Sequence, residues 1–552
     1  HSRFNEALGW YQQAETHSRS QGDLAGAGQA LRGQARVYLD TVNPTQAEHL
    51  LQEALRLSDG QEDRETRIRL LELLAENRLN RGRLEDAERF QMQAAGLAEE
   101  VSSEAELAVR VLMRTGRLSE ARLVLEERAE AERHAPVLRP RAHRETLLLL
   151  SLLQAFQGDG EAALRTAMEG TERGRALSSP FITGVGHMRQ GHAWLLQPAA
   201  DAAEQAIRCF RDAIAIAEDL AVPRLKVEAF WGLCRAHGVS GNLPAAEAAA
   251  AQGMGIAQQT GDEWVTALIR LAMASSYVLA GRHDEAGPLL VEAAAAFREC
   301  SDTFGETATR LWQCLHWQAI GDTARLARGV EDLLRPARDH GYDWLFLRPT
   351  LLGPPDPRRV VPLLLQARGN ERFRSYAANL LGRLGLARLE LHPGYQLRVQ
   401  TLGPFEIWRG AEGVAAHEWR RDKARQLFQL LLTRRQRLLE RDQIVELLWP
   451  GLDGETAERD FKVALSTLYR VLEPALPARA LSAYVLREGT LYGLRPGADL
   501  TLDAEQFEQA VRQGDRLARQ GDEGFIDRYR AALTLYGGDF LQDYPYDEWD
   551  SE

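Results

Sequence analysis

Residues 223–259 read PRLKVEAFWGLCRAHGVSGNLPAAEAAAAQGMGIAQQ, and this stretch decides the fold. Two helix-length segments lie on either side of Gly241, and Ala246 follows that glycine five positions later. Glycine permits a tight turn, and a small alanine on the second helix lets the two helices approach closely. The stretch therefore predicts a helical hairpin.

The same glycine-to-alanine spacing recurs along the chain. A single hairpin cannot bury its apolar stripe alone, so about eight such units are expected to stack into a superhelix with a concave surface. One interval is twice the usual length, which predicts two units with Pro198 and Ala203 in place of the missing pair; Gly321 continues the period with Leu326 in the alanine position. The other pairs are Gly82/Ala87, Gly116/Ala121, Gly158/Ala163 and Gly281/Ala286.

This array resembles tetratricopeptide repeats, in particular the long, degenerate repeats of MalT-like bacterial regulators. The resemblance covers residues 1–345 and implies a groove that binds a protein, a peptide or a small inducer, with nothing to select among them. Trp231, Trp264, Trp312 and Trp317 could line that groove, but their helical spacing favours packing in the core.

Composition narrows the class of protein. Of 552 residues, 45% are hydrophobic and 26% charged, which excludes a wholly disordered or collagen-like chain. The longest apolar run, residues 147–153, is too short to cross a bilayer, and no signal pattern opens the chain, so we expect a cytoplasmic protein without a membrane partner. Cys209, Cys234, Cys300 and Cys314 are scattered, which predicts buried thiols and neither disulfides nor a zinc site.

Prolines cluster between residues 349 and 362, where no continuous helix would tolerate them. Further on, YQLRVQTLGPFEIWRG, residues 395–410, alternates apolar and polar residues as two short strands around Gly403-Pro404 would. We predict a mainly α protein: a tetratricopeptide-like α-solenoid, a winged helix-turn-helix domain and the beginning of a second helical domain. The expected parts are the repeats at 1–345, a Pro-rich boundary with capping or linker helices at 346–395, the winged helix at 396–500 and the helical start at 501–552.

Residues 396–500 carry the features that suggest DNA binding. Helices are predicted over 423–432, 441–448 and 456–472, followed by a β-hairpin around Glu488-Gly489. The third helix has two faces: an apolar one with Phe461, Leu465, Leu468 and Leu472, and a polar one with Arg459, Lys462, Ser466 and Arg470. Cations and hydroxyls on one face suit a helix that reads the major groove, although any amphipathic surface helix shares this pattern.

Charge strengthens the DNA-binding interpretation. Residues 417–441 hold eight Arg or Lys against three acids, Arg420, Arg421 and Lys423 among them, in a chain of net charge -12. Arg487 lies beside the predicted hairpin tip, where a wing would meet the DNA backbone or minor groove.

The segment resembles the OmpR/PhoB-type winged helix of SARP-family regulators, the Streptomyces antibiotic regulatory proteins. The motifs are LGPFEI at 402–407, KARQLFQLLL at 423–432, ELLWP at 446–450 and FKVALSTLYRVL at 461–472. The resemblance implies that the third helix enters the major groove through Arg459, Lys462, Ser466, Thr467 and Arg470. It also implies that the preceding loop contacts RNA polymerase, here through Trp449, Pro450, Asp453 and Glu455. Family members often have arginine where Ser466, Thr467 and Tyr469 stand, so a different base preference is expected.

Residues 501–552 resemble the opening of the bacterial transcriptional activator domain of the same family. With 13 acids and 5 arginines, this part is not expected to bind nucleic acid itself. Only about fifty residues of that larger helical domain are present, so we expect the chain to be cut at its C-terminus. His1 stands where an initiator methionine would, and MalT-like regulators carry a nucleotide-binding switch domain ahead of their repeats. No Gly-Lys pair and hence no P-loop occurs, so we expect no cofactor, and any ATP-binding domain would lie upstream.

Catalysis is not supported by any motif, since His187 and His192 lack metal-ligand spacing and the Gly184/Gly186/Gly191 cluster is a poor dinucleotide site. We therefore expect not an enzyme but a sequence-specific DNA-binding transcriptional activator. Its expected partners are promoter DNA, RNA polymerase and a protein or small-molecule ligand of the repeat groove, with homodimers possible on repeated DNA sites. The alternative is a repeat scaffold in which the winged helix binds protein, and salt dependence of binding would distinguish the two.

Overall fold

The computed structural model describes residues 4–41, 43–58, 64–97, 105–133, 145–435 and 437–543. The chain divides into two compact units, residues 1–355 and 356–552. No helix in the described part is long and apolar enough to span a membrane.

The first unit consists of successive antiparallel helices, as the repeat pattern predicted. Most consecutive helices pack against each other along the array, and from α8 to α16 every second helix also contacts its counterpart in the next hairpin. The described helices are α1 (Phe4–Ser20), α2 (Leu24–Asp40), α3 (Pro44–Ser58), α4 (Arg64–Asn80), α5 (Leu84–Leu97), α6 (Ala105–Arg114), α7 (Leu118–Arg133), α8 (Thr146–Phe156), α9 (Gly160–Ala176), α10 (Pro180–Trp194), α11 (Ala202–Leu220), α12 (Pro223–Val239), α13 (Leu243–Thr260), α14 (Glu263–Leu279), α15 (His283–Glu299), α16 (Thr303–Ile320), α17 (Thr323–Asp339) and α18 (Trp344–Leu347).

The turn between α12 and α13 explains the glycine-to-alanine spacing of the repeats. Gly241 has φ +76°, a left-handed conformation that strains other residues. The next residue, Asn242, caps α13 by accepting a hydrogen bond from the Ala245 amide at 3.3 Å. Ala246, on the first turn of α13, is fully buried. The five glycine-alanine pairs all place the glycine at positive φ and bury the alanine, which confirms the predicted hairpins.

One detail of the predicted period is wrong. Pro198 lies in a longer turn between α10 and α11, and Ala203 is only half-buried. The helix α11 begins at Ala202, and the first alanine on it with no exposed surface is Ala206. The longer turn therefore shifts the register by three residues.

The array curls until early and late hairpins touch. The Tyr342 hydroxyl donates to the Gly116 carbonyl at 2.8 Å, and the Thr45 hydroxyl donates to the Thr260 carbonyl at 3.1 Å. These contacts join residues more than two hundred positions apart, so the superhelix encloses an interior lined by its first-of-pair helices.

The tryptophans and cysteines lie where core packing was favoured. Trp231, Trp264 and Trp312 are buried, and Trp317 is half-buried. Cys234, Cys300 and Cys314 are buried, as predicted, whereas Cys209 is only half-buried.

The second unit combines short helices with two small sheets. One sheet has the strand order β3-β2-β1-β7, and the other has the order β4-β6-β5. The helices are α19 (Val361–Arg368), α20 (Arg374–Arg383), α21 (Asp422–Thr433), α22 (Arg441–Leu448), α23 (Gly454–Leu472), α24 (Asp503–Arg519) and α25 (Phe525–Leu535), with 3-10 turns at Pro357–Val360 and Ala416–Trp419. The strands are β1 (Leu397–Gln400), β2 (Glu406–Arg409), β3 (Glu412–Gly413), β4 (Leu439–Glu440), β5 (Val485–Glu488), β6 (Leu491–Leu494) and β7 (Leu500–Leu502).

Three helices and a terminal hairpin follow one another as the sequence predicted. The observed α21, α22 and α23 match the predicted helices within two residues at each end, and β5 and β6 form an antiparallel hairpin around Glu488-Gly489. The strand β4 joins that hairpin from between α21 and α22. This is the topology of a winged helix-turn-helix.

The strand pair around Gly403-Pro404 is also confirmed, because β1 and β2 are antiparallel neighbours. The strand β7 adds to the same sheet, parallel to β1, and leads directly into α24. The sheet therefore connects the winged helix to the helical segment that follows it.

Candidate nucleic-acid interface

The third helix of the winged helix, α23, packs by one face. Asp453 caps its N-terminus by accepting a hydrogen bond from the Thr456 amide at 3.0 Å. Phe461 is 1% exposed, and its ring meets the edge of Tyr492 at 5.1 Å between centroids. The predicted apolar positions Leu465, Leu468 and Leu472 are buried beside it.

The opposite face of α23 is open to solvent. Arg459, Lys462, Ser466 and Arg470 are all exposed and follow one another at helical spacing. Sequence reasoning missed Val463, which lies on the same face and is 38% exposed. Its position one turn after Arg459 is a signal that could have found it, and an apolar side chain there suits contact with a thymine methyl group.

Thr467 does not belong to this face. Its side chain is buried, 5% exposed, although the family resemblance assigned it to DNA. It lies one turn from Ala464 and one turn from Val471, both buried, so the helix turns it into the core. The exposed face therefore excludes Thr467.

Acidic residues share the exposed side with the cations. Glu458 accepts from Lys462 at 2.9 Å and from Arg441 at 3.2 Å, and the hydrogen bond from Lys462 lowers the pKa of Glu458. Exposed pairs of this kind are weak and can exchange for other partners. Arg470 has no ion pair with any residue that the structure describes, so its guanidinium needs no such exchange.

The hairpin of β5 and β6 presents Arg487 beside its tip. The side chain is exposed, its Nε donates to the Gly489 carbonyl at 3.2 Å, and its guanidinium lies 5.6 Å from the Tyr492 ring. Tyr492 also touches Phe461 of α23, so the wing cation and the third helix share one aromatic support.

Three further predicted cations lie at the start of α21. Arg420 and Arg421 are exposed, and Arg420 has φ +55°, a conformation that is uncommon outside glycine. Lys423 is half-buried, with its Nζ 6.0 Å from the Trp449 ring. The first two are therefore accessible to a ligand, and Lys423 is less so.

The loop assigned to RNA polymerase is only partly available. Trp449 is 6% exposed, and its ring packs at 6.3 Å against Phe461. This burial removes Trp449 from any contact surface, because its side chain belongs to the core. Pro450, Asp453 and Glu455 are exposed. A hydrogen bond from the Thr456 amide lowers the pKa of Asp453, which keeps its carboxylate charged.

Some cations of the basic stretch are already paired. Arg425 contacts Asp543, and Arg435 contacts Glu505, in both cases through charged hydrogen bonds. Both acids come from the segment after residue 501. Sequence reasoning treated the basic stretch and the acidic segment separately, and no local pattern indicates that they meet.

Comparison with known proteins gives one family match. The family model "Bacterial transcriptional activator domain" matches residues 502–552. No curated protein matches the chain.

Solved structures with similar helical arrays have low sequence identity. One is a Rap protein complexed with Competence and Sporulation Factor, with 12% identity, a TM-score of 0.45 and coverage of 66% of this chain and 98% of the other. Another is the APC/C hetero-tetramer Cut9-Hcn1, with 11% identity, a TM-score of 0.42 and coverage of 70% and 75%. A third is a STAND protein with a tetratricopeptide repeat sensor from Pyrococcus horikoshii, with 12% identity, a TM-score of 0.34 and coverage of 65% and 52%. None of the three bears on function.

Proposed function

We propose that this chain is a transcriptional activator that binds specific promoter DNA through α23 and the β5–β6 wing, while its helical repeats respond to a ligand or a partner. The observation that carries the proposal is the stripe of Arg459, Lys462, Ser466 and Arg470, exposed on the third helix of a winged helix-turn-helix. The family match at 502–552 supports a role in transcription. Residues 396–500 would form the DNA-binding part, and residues from 501 the start of the activator part.

The chemistry of the stripe suits a DNA groove. Arginine can donate two parallel hydrogen bonds to a guanine edge, lysine can neutralise a phosphate, and a serine hydroxyl can bind either. Arg487 on the wing would contact the backbone or the minor groove beside the third helix. Arg420 and Arg421 add exposed charge at the start of α21.

These cations set the expected salt dependence. Neutralised phosphates release counterions, and the logarithmic slope of affinity against salt is about -0.9 per contact. Four contacts from α23 and the wing, or six with Arg420 and Arg421, give a slope of about -3.6 to -5.4. A fourfold rise in salt should then weaken binding by about 10²- to 10³-fold.

RNA polymerase is the second proposed partner. Pro450, Asp453 and Glu455 lie in the exposed loop before α23, and Leu452 beside them is 47% exposed. An exposed apolar side chain flanked by acids is a reasonable contact for a partner protein. Homodimers would place two winged helices on repeated DNA sites.

The test is selection of the full chain on a randomised duplex DNA pool, followed by titration of the enriched sequence at two salt concentrations. Lys462→Ala and Arg470→Ala should each weaken binding and reduce the salt slope by about one. Arg512→Ala is the matched control, because Arg512 is an exposed arginine on α24 whose side chain is 69% accessible. Unchanged binding in both α23 variants would rule out the assigned face.

A repeat scaffold is the second candidate function, and the charge of α23 favours it. The helix carries three acids and three bases, so its formal net charge is zero. Under this alternative the winged helix binds protein, no DNA sequence is enriched, and binding to the partner changes little with salt.

A further inference from the structure

The first unit contains a cavity on the inner side of its curled array. The cavity leaves about 70 Å³ for the centres of water-sized molecules, is partly open to solvent, and is lined by α6, α8, α10, α12 and α14. Its wall is mainly apolar, with Met113, Val185, Met188 and Leu225 among the lining residues. A mainly apolar wall with a few charged groups is typical of sites that bind small organic molecules.

Three arginines also line this apolar space, and two of them are neutralised. Arg110 pairs with Glu76 at 3.0 Å, and Arg189 pairs with Glu228 at 3.0 Å. Each of these cations has its own carboxylate within hydrogen-bonding distance. Their charges are therefore largely satisfied without a ligand.

Arg114 differs from the other two. It is 7% exposed, and no described carboxylate lies within ion-pair distance of its guanidinium. It donates to the Leu79 carbonyl and lies over the Trp264 ring at 4.8 Å. The Arg114 guanidinium has five N–H donors, and these contacts leave some of them without a charged acceptor at the edge of the cavity.

The surroundings make this charge costly. Burial lowers the pKa of Arg114, and Cys300, Glu228 and Asp302, none of which pairs with its guanidinium, act against that effect. The Asp302 carboxylate already has other partners, because it accepts a hydrogen bond from the Trp264 indole at 2.8 Å and caps the N-terminus of α16. An anion that enters the cavity would give Arg114 the close partner that the protein does not supply.

We propose that this cavity binds a compact organic anion with an apolar body, its acidic group paired with Arg114 and its body packed against Met113, Val185 and Met188. This inference rests on the proposed function, in which the helical repeats respond to a ligand, and it names the chemical class of that ligand. The small volume of the cavity favours a compact molecule over an extended peptide.

A purely structural role for Arg114 is the competing explanation, since the side chain joins α6 to α14. A structural clamp would affect stability but would not distinguish anionic from neutral ligands. Discrimination by charge is therefore the measurement that separates the two roles.

The experiment uses two fluorescent probes that differ by one sulfonate, 1-anilinonaphthalene-8-sulfonate and the neutral N-phenyl-1-naphthylamine, titrated into the full chain. The anionic probe should bind about tenfold more tightly or better. Arg114→Met should abolish this preference, whereas Arg114→Lys, which keeps a cation, should retain part of it. Arg117→Met is the matched control, since Arg117 lies just after α6 with its side chain 54% accessible, and it should leave the preference unchanged.

A second variant covers the case in which Arg114→Met fails to fold. Val185→Trp fills the cavity and should weaken both probes at least tenfold while circular dichroism stays unchanged. Equal affinity of the two probes for the unaltered chain, or full affinity for both in Val185→Trp, would overturn the proposal. DNA selection is independent of these titrations, so failure here and failure of promoter binding are distinguishable.

Discussion

Replacing Asp503 with asparagine should loosen the junction between β1 and α24. Asp503 is the first residue of α24 and is 9% exposed. Its Oδ1 accepts from the Thr401 amide at 2.8 Å and the Thr401 hydroxyl at 2.7 Å, and its Oδ2 accepts from the Leu402 amide at 2.8 Å. One carboxylate thus fixes the backbone at the end of β1.

The expected free-energy cost depends on which of the two carboxylate oxygens the asparagine side chain retains. Asparagine keeps a carbonyl oxygen for Thr401, but its NH₂ group replaces Oδ2 and faces the Leu402 amide, so two donors meet. A buried donor without an acceptor costs about 1–3 kcal/mol. At about 1.4 kcal/mol per factor of ten, local opening becomes roughly 5- to 150-fold more frequent.

Hydrogen exchange is the appropriate assay, because a multidomain chain does not give one unfolding free energy. Amides of residues 401–403 and of residue 541 should exchange faster, since the Leu541 amide donates to the Thr401 carbonyl at 2.8 Å. Asp527→Asn is the control, because Asp527 is an exposed aspartate on α25. If Asp503→Asn leaves exchange at 401–403 unchanged, or changes it no more than the control does, the assigned role of the carboxylate is wrong.

Two further predictions concern stability. Phe461→Ala should destabilise the winged helix by about 3–5 kcal/mol, because the ring is buried between Trp449 and Tyr492, and a change below about 1 kcal/mol in the opening free energy that hydrogen exchange gives for the α23 amides would contradict that packing. Burial tends to raise the pKa of Asp499, but hydrogen bonds led by that from His392 outweigh it and hold the pKa at about 2, below the ordinary 3.8. Its stabilisation is therefore complete above about pH 4 and lost as pH falls towards 2, so Asp499→Asn should flatten the acid-unfolding curve in that window, whereas an unchanged curve would refute the linkage.

Local rules explain why the repeats could be predicted. A glycine with φ +76° at Gly241 and a buried Ala246 both follow from a turn that involves only neighbouring residues. The two faces of α23 likewise follow from helical periodicity, which places Phe461 inside and Lys462 outside. Such features need no knowledge of distant parts of the chain.

Features that depend on distant residues could not be predicted. Trp449 follows α22 in a stretch rich in turn residues, yet it is buried because Phe461 provides an aromatic partner. Thr467 lies at the edge of the apolar stripe, where periodicity alone cannot decide between core and solvent. The Arg114 cavity draws its wall from five helices of successive hairpins, so no sequence motif marks it.

The ion pairs of the proposed DNA interface also involve distant residues and could not be predicted from the sequence. Residues 420–441 hold eight cations, and α23 with the wing adds four, so a reading of sequence alone would allow twelve phosphate contacts and a salt slope near -11. In the structure Arg425 and Arg435 are held by acids from the following segment, Arg441 pairs with Glu458, and six of the assigned cations are exposed. A measured slope near -5 would match phosphate contacts by these six exposed cations alone. A slope near -11 would require all twelve cations, Arg425, Arg435 and Arg441 included, so DNA would displace their acids. The contacts that Asp543 and Glu505 make with the winged helix would then open when the protein binds its promoter.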